Sequence, residues 1–557
     1  MKILYKLIIL FTIASCSNHK GTYYITDFGA KGDGKTNNTA AINKAIKNCN
    51  KNGGGTVMVT PGEFISGSIQ LLSNVNLEIM SGATIKGSLD TADYRVEGRK
   101  HGLVFAEDAQ NISITGLGEI NGNGTSFMTP DKPHLSGDFD KKYTRQGDKF
   151  MDPSLGFEDG PIAFNYRPMM MVVLMRCQNI TFHDVTFADP PEWTIRLGSC
   201  DNVAITGIKV MNNLLVPNND GIHMTNSRNV RITNCDIRTG DDAIIVSGFE
   251  DEIDTNNQKT NKKSAAQLFG NKTGISENIV VSNCVLQSRS AGIRIGYGAL
   301  DMRNCEFSNI IIYGSNRGIG LFVREKGSIE NMKFSNIIID NRLHKGHWWG
   351  KGEPIHVSAI PMSSDTLIGH IKGISFNHIE IKSETGIVVY GVNNSLIQNL
   401  TFDDLKISIK KSPIDLTYGG NFDLRPTNSP KTQIFQHDIP ALYASYFQNM
   451  TVKDFQVEWT DHLTAYFCNA IWCENFADLN INGFKGRQQN QTGPSVLLNN
   501  GDGVNIQNAT AAKGTDVFLQ MNNIENQGIF NNNSLAQAKS VFGNGKNTFL
   551  LTGNKLK

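Results

Sequence analysis

One short pattern recurs along most of the chain and limits the folds open to it: an Asn, an apolar residue, then alternating apolar positions. It occurs at Asn111-Ile-Ser-Ile, Asn179-Ile-Thr-Phe, Asn202-Val-Ala-Ile, Asn229-Val-Arg-Ile, Asn278-Ile-Val-Val, Asn331-Met-Lys-Phe, Asn399-Leu-Thr-Phe and Asn449-Met-Thr-Val. Asn179 and Asn202 are 23 residues apart, and Asn202 and Asn229 are 27 apart. Longer gaps approach multiples of this spacing or contain insertions. Each unit holds short strands of period two between Gly and Asn turns. A unit so small cannot bury its own apolar face, so it must stack on its neighbours. Asn at a fixed turn position suits the left-handed conformation and can hydrogen-bond to the Asn of the next coil. The expected fold is therefore all-β, a right-handed parallel β-helix of roughly ten or more coils. A WD-type propeller is the runner-up, but the unit is too short for a four-stranded blade.

The N-terminal region predicts a cap for this solenoid. Ala41, Ile42, Ala45, Ile46 and Cys49 have helical spacing. Asn38 or Thr39 is placed to cap the helix, and Gly53-Gly-Gly ends it before the strand Thr56-Val-Met-Val. Such a helix covers the open end of the first coil. Beyond residues 1–20, residues 21–557 read as a single β-helix domain with inserted loops at about 127–166, 250–274, 341–353 and 409–440. Insertions into solenoids tend to gather on one face, often the binding face.

The first sixteen residues, MKILYKLIILFTIASC, have a basic start and an apolar run too short to span a bilayer. Ile13-Ala-Ser-Cys16 resembles a bacterial lipobox, which implies lipidation at Cys16. The following Ser-Asn-His-Lys has no Asp beside the cysteine. This implies a Gram-negative outer-membrane lipoprotein facing the periplasm. An ordinary signal peptide is the alternative. Only 19% of residues are charged and the net charge is +1, so nothing points to a nucleic-acid partner. Cys177, Cys200, Cys235, Cys284 and Cys305 stand at turns or strand edges without a CxxC pair and read as small buried residues. Some disulfides are open in an oxidising compartment, and a metal site is not expected.

Aligning the coils on their Asn anchors superposes five strand starts: Trp193-Thr-Ile-Arg196, Asp220-Gly-Ile-His223, Asp242-Ala-Ile-Ile245, Ala291-Gly-Ile-Arg294 and Arg317-Gly-Ile-Gly320. The third position is Ile throughout and is the inward column. The fourth, Arg196, His223, Ile245, Arg294 and Gly320, faces outward. Parallel neighbours lie about 4.8 Å apart, so Asp220 and Asp242 become near neighbours, with Asp241 beside them. Clustered carboxyls repel, and at least one should bind its proton more tightly than usual. That provides an acid and a base, as inverting glycoside hydrolysis requires. Turn aspartates and a calcium site are the alternatives. Asp236, inside a strand edge without a stacked partner, reads as a turn residue.

Several stretches resemble glycoside hydrolase family 28, the polygalacturonase family, between Tyr24 and about Phe455. They are DFGAKGDGKTNNTAAINKAI, PPEWTIRLGSCDNV, Asn218-Asn-Asp-Gly221 (like the family's NTDG motif) and Gly240-Asp-Asp242 (like its GDD motif). The resemblance implies Asp241 as general acid, with Asp220 and Asp242 holding and activating water. The family's GHG reads here as Ser290-Ala-Gly292, and its RIK strand as Gly320-Leu-Phe322. The cations that hold the substrate carboxylate in the family are therefore absent. Arg196, His223, Arg294 and Arg317, with Arg324 nearby, are candidate replacements for substrate binding. Trp348 and Trp349 are candidates to stack on a sugar ring, and Tyr390 is a weaker groove candidate.

The expected activity is inverting hydrolysis of an acidic, pectin-like polysaccharide or its oligosaccharides, by a monomer that needs no cofactor. A β-helix polysaccharide lyase and a non-catalytic glycan-binding β-helix are the alternatives.

Overall fold

The computed structural model describes residues 21–134, 141–151, 159–249, 274–393, 396–427, 433–460, 462–544 and 548–555. The leader and Cys16 lie outside these, as does most of the 250–274 insertion. The described chain forms a parallel β-helix. Its strands pair coil upon coil into one continuous parallel assembly from Gly21–Tyr24 to Leu550–Thr552.

The aligned register holds at every step. Ile195 pairs with Ile222, Ile222 with Ile244, Ile244 with Ile293 and Ile293 with Ile319. All five isoleucines are fully buried. A second strand set carries the Asn anchors. In Ser276–Ser288, Met302–Ser315 and Ile329–Asn341 this set continues into the next strand as a single long strand, bent at an Asn with positive φ, Asn283, Asn309 and Asn336. All eight anchor asparagines named above have φ between 53° and 57°. Their amides form the expected ladder: Asn179 Nδ2 donates to Asn111 Oδ1 at 2.9 Å, and Asn202 Nδ2 to Asn179 Oδ1 at 2.9 Å. One rung departs, since Asn229 donates to Asp201 Oδ1 rather than to Asn202.

This geometry predicts that Asn179→Ala costs about 1–2 kcal/mol. Ala tolerates the left-handed region poorly, and two amide contacts go with the side chain. Asn179→Gly should recover most of the loss, because Gly adopts that φ freely. Urea unfolding midpoints of the two variants check this. Equal losses would show that the ladder, not the backbone, dominates.

The cap is a helix, Thr39–Lys51, that buries Ile42, Ala45, Ile46 and Cys49. Gly53 and Gly54, at φ 91° and 100°, turn the chain out of it. The capping expectation needs correction. Asn38 occupies the N-cap position, but its side chain binds the preceding turn through Lys31 N and Thr36 O. Asn37 Oδ1 instead accepts from the backbone N–H and hydroxyl of Thr39. All cysteines among the described residues are free thiols. No helix among them is long and apolar enough to cross a membrane.

The strands Ile222–Thr225, Ile244–Gly248, Arg317–Val323 and Ile355–Ala359 are buried on both faces. Alternation alone would leave their outer face in water. The insertions prevent that by folding over this face and bonding to one another. Asp159 of the first insertion pairs with Arg342 at 3.0 Å and accepts from the Trp348 indole at its carbonyl. Arg145 N donates to Asn421 Oδ1 at 2.9 Å, linking the first insertion to the last.

Candidate active site

Under this cover lies a cavity of about 150 Å³ that contains Asp220, Asp241 and Asp242. The two acid-bearing turns are clamped together by Asn219, which is fully buried. Its Oδ1 accepts from Gly240 N at 2.5 Å and its Nδ2 donates to Asn213 O at 2.7 Å. Gly240 cannot carry a side chain here: a Cβ would sit 2.4 Å from Val216 O and 2.8 Å from Asn219 Oδ1. The Asp220 backbone is fixed from the coil before it, where Thr194 Oγ1 donates to its carbonyl at 2.7 Å. The Asp241 carbonyl accepts from the hydroxyls of Thr239 and Ser288.

The three carboxyls differ in their partners. Asp242 forms an ion pair with Arg294 Nε and accepts from Ala291 N at 2.9 Å. Asp241 Oδ1 accepts from Asp242 N at 2.9 Å. Asp220 Oδ1 is buried without a hydrogen-bond partner in the protein. Burial, then the charge of Asp242, raises the Asp241 pKa to about 7, with Arg294 opposing. Burial, then the charges of Asp241 and Asp242, raises Asp220 well above the usual carboxylate range. Such a set retains a proton near neutrality and can give it to a leaving group, while a neighbouring carboxylate draws one from water. Among the described residues, no group of three or more His, Cys, Asp or Glu is arranged to hold a metal ion.

The candidate binding residues divide. Arg294, Arg317 and Trp349 line the cavity. His223 does not act as a surface cation. It is fully buried, stacks on Trp193 at 3.9 Å, bonds Ser247 Oγ at 2.9 Å, and has its Nδ1 3.6 Å from Asp220 Oδ2. Burial and the charges of Arg294 and Arg196 pull its pKa well below the ordinary value, so it is a neutral ring that packs behind Asp220. Arg196 lies outside the cavity lining, half-buried, with its guanidinium 5.9 Å from the Trp193 ring centre. Trp348 is buried in the wall against Asp159. Arg324 is fully buried and binds the carbonyls of Ser358, Leu424 and Pro426. Tyr390 packs on Phe435 at 6.0 Å, away from the lining. Asp236 pairs with Arg238 at 3.2 Å, as a surface residue would.

The repeat did not reveal Phe249, Tyr297 and Arg425, which also line the cavity. Tyr297 follows Arg294 closely in Arg-Ile-Gly-Tyr, which is a weak signal. Arg425 sits in the last insertion, which has no repeat spacing at all.

A β-helix that gathers three buried aspartates at one cavity holds the acid and base groups that carboxylate-based hydrolysis of a sugar needs. Residues 164–418, which carry all three, match glycosyl hydrolases family 28. Residues 23–129 match a different family, rhamnogalacturonase A/epimerase, pectate lyase-like. An exo-poly-alpha-D-galacturonosidase of Dickeya chrysanthemi is 26% identical over 442 residues, 69% of this chain and 71% of the relative. A polygalacturonase of Malus domestica is 31% identical over 244 residues, 43% of this chain and 46% of the relative. The chain thus spans about half the length of that plant enzyme. The crystal structure of a hyperthermoactive exopolygalacturonase from Thermotoga maritima superposes with a TM-score of 0.54 at 20% identity, covering 79% of this chain and 92% of that one. That likeness concerns the fold. Over residues 164–418 the chain is similar to the polygalacturonase-like glycoside hydrolases of family 28.

Proposed function

We propose that this protein is an inverting hydrolase of uronate-containing, pectin-like polysaccharides or their oligosaccharides. Asp241 acts as general acid toward the leaving oxygen. Asp220 and Asp242 hold and activate the attacking water. The observation that carries this is the trio of buried carboxyls at one cavity, with Asp241 holding its proton up to about pH 7. A general acid works best when its pKa lies near the operating pH. Asp220 Oδ1, buried and without a protein partner, is suited to receive the water. Arg294 sits against Asp242 and supplies positive charge where several negative groups meet. The names of the relatives, polygalacturonase and exo-poly-alpha-D-galacturonosidase, support the substrate class. A cavity covered by insertions on several sides favours cleavage at a chain end, because an internal segment needs a groove open at both ends.

The test is digestion of uronate polysaccharides and oligosaccharides with and without a chelator. Reducing ends should be released at the same rate in both, with no ultraviolet absorbance from an unsaturated uronate. Unsaturated products that vanish with chelator would replace this reading by a lyase. Binding without any product would favour a glycan-binding β-helix.

A further inference from the structure

The turn that carries Asp220 has a second support, and it comes from outside the repeat. The loop from Asn212 to Asn219 leads into Asp220 and bears Asn218, which lines the cavity with a φ of 56°. The first insertion and the residues just after it brace this loop at three points. Ile162 N donates to Leu215 O at 2.9 Å. Met128 and Ile162 pack on the fully buried Val216. The half-buried Arg167 completes the brace: its Nη1 donates to Pro217 O at 2.7 Å and its Nη2 to Asn218 Oδ1 at 3.3 Å. The guanidinium lies over the Phe164 ring, 4.0 Å from its centre, and Phe164 is itself paired across strands with Met128. Asn219, the next residue in the turn, reaches Gly240 N beside Asp241. A displacement at Pro217 or Asn218 therefore changes the placement of Asp220 relative to Asp241.

Arg167 also brings charge to the site. Burial lowers its proton affinity, while the charges of Glu192, Asp220 and Asp241 raise it, in that order. Two of the three candidate catalytic carboxyls thus lie within its field. Around Asp241 the other charged groups are Asp242 and Asp220 from the two turns and Arg294 from the next strand, with Tyr297 close to them. Arg317 and Arg425 line the same cavity. Glu192 is raised by burial against the charges of both Arg167 and Arg196. Arg294 opposes the proton affinity of Asp241 and Asp220, and Arg167 is a further positive charge acting on the same two. A cation near a carboxyl favours its ionised form.

We propose that Arg167 is a positioning residue for the acid–base set: it holds the turn from Pro217 to Asp220 against the turn from Gly240 to Asp242 and biases the charge of Asp241. It acts through Asn218, Asp220 and Asp241 and not by touching the sugar. The inference rests on the function proposed above for the roles of acid and base.

The test pairs two substitutions. Arg167→Met keeps much of the stem but removes both hydrogen bonds and the charge. It should lower kcat roughly 10–100-fold, the scale on which misplaced groups act, with KM changed by less than about threefold. Loss of the positive charge favours protonated Asp241, so the pH above which activity declines should rise by roughly half a unit or more. Arg167→Lys keeps the charge without the two-pronged contact. Its activity should decline at the parental pH while its kcat stays below the parent's. Infrared titration of the protonated carboxyl band, assigned by its loss in Asp241→Asn, reads the same proton without turnover. Thermal melting shows whether Arg167→Met is folded at the assay temperature. If it is not, Arg167→Lys decides, and parental kcat in that variant would overturn the inference. A folded Arg167→Met chain with parental kcat would overturn it as well. So would one with lowered kcat but an unmoved pH limb, which would make Arg167 a brace of the loop alone. A parent chain that hydrolyses no uronate substrate, but whose Asp241 band moves on Arg167→Met, would overturn the hydrolase reading and leave the coupling of Arg167 to Asp241 standing.

Discussion

Asp241→Asn is expected to lower kcat by roughly 10²–10⁴-fold, the range that a positioned general acid contributes, without unfolding the protein. The amide fills the same space but has no proton to give at that acidity. The fold should tolerate it well. Asp241 is buried with its pKa raised to about 7, so its charged form is disfavoured in the native state. A carboxyl raised in this way binds its proton more tightly folded than unfolded. Its contribution to stability therefore falls as pH rises from about 4 toward 7. Asn never ionises, so the variant should melt no lower than the parent at pH 7–8, and the two should converge near pH 4. The same proton sets the rate profile: parent activity should decline as pH rises through about 7, where Asp241 loses it. Pre-steady-state turnover and melting across pH 4–8 check both halves. A variant that retains more than a tenth of parental kcat would remove Asp241 from the acid role.

The second large effect is structural. Phe334→Ala should destabilise the helix by about 3–5 kcal/mol, the usual cost of removing a buried Phe and leaving its cavity. Phe307, Phe334, Phe376 and Phe402 occupy one register on successive coils. Their ring centres are 5.0, 5.0 and 5.2 Å apart with interplanar angles of 9–13°. Removal of an inner member breaks two stacked contacts at once. Because each coil touches chiefly its neighbours, the damage should spread along the stack and not to the distant cap. Phe334→Leu should cost less, since it keeps most of the volume. Urea unfolding followed by tryptophan fluorescence measures both. A loss below about 1 kcal/mol for the alanine variant would mean that the coils close over the gap.

The coils were legible because their signals are local and repeated. Eight asparagines marked the turns, and the isoleucine column fixed the register. Together these place Asp220 one coil from Asp242. The site wall was not legible, because its contacts are long-range and obey no period. Arg317 looks like an edge residue in its own strand. Glu353 and Asp423, the latter 106 positions later in sequence, hold it as a buried cavity-lining residue. His223 has the spacing of an outward residue, yet Trp193 and the neighbouring coils enclose it. Trp348 and Trp349 are adjacent and chemically alike, but one binds the carbonyl of Asp159 inside the wall while the other faces the cavity. Nothing in a pair of tryptophans says which of them turns inward.

Single displacement at the aspartate trio is best tested by proton NMR of the first product formed from a uronate oligosaccharide. The new reducing end should appear in the anomeric configuration opposite to that of the cleaved bond, before mutarotation mixes the two. Initial product with the original configuration retained would contradict it, because retention needs a covalent intermediate and a nucleophile in place of the activated water.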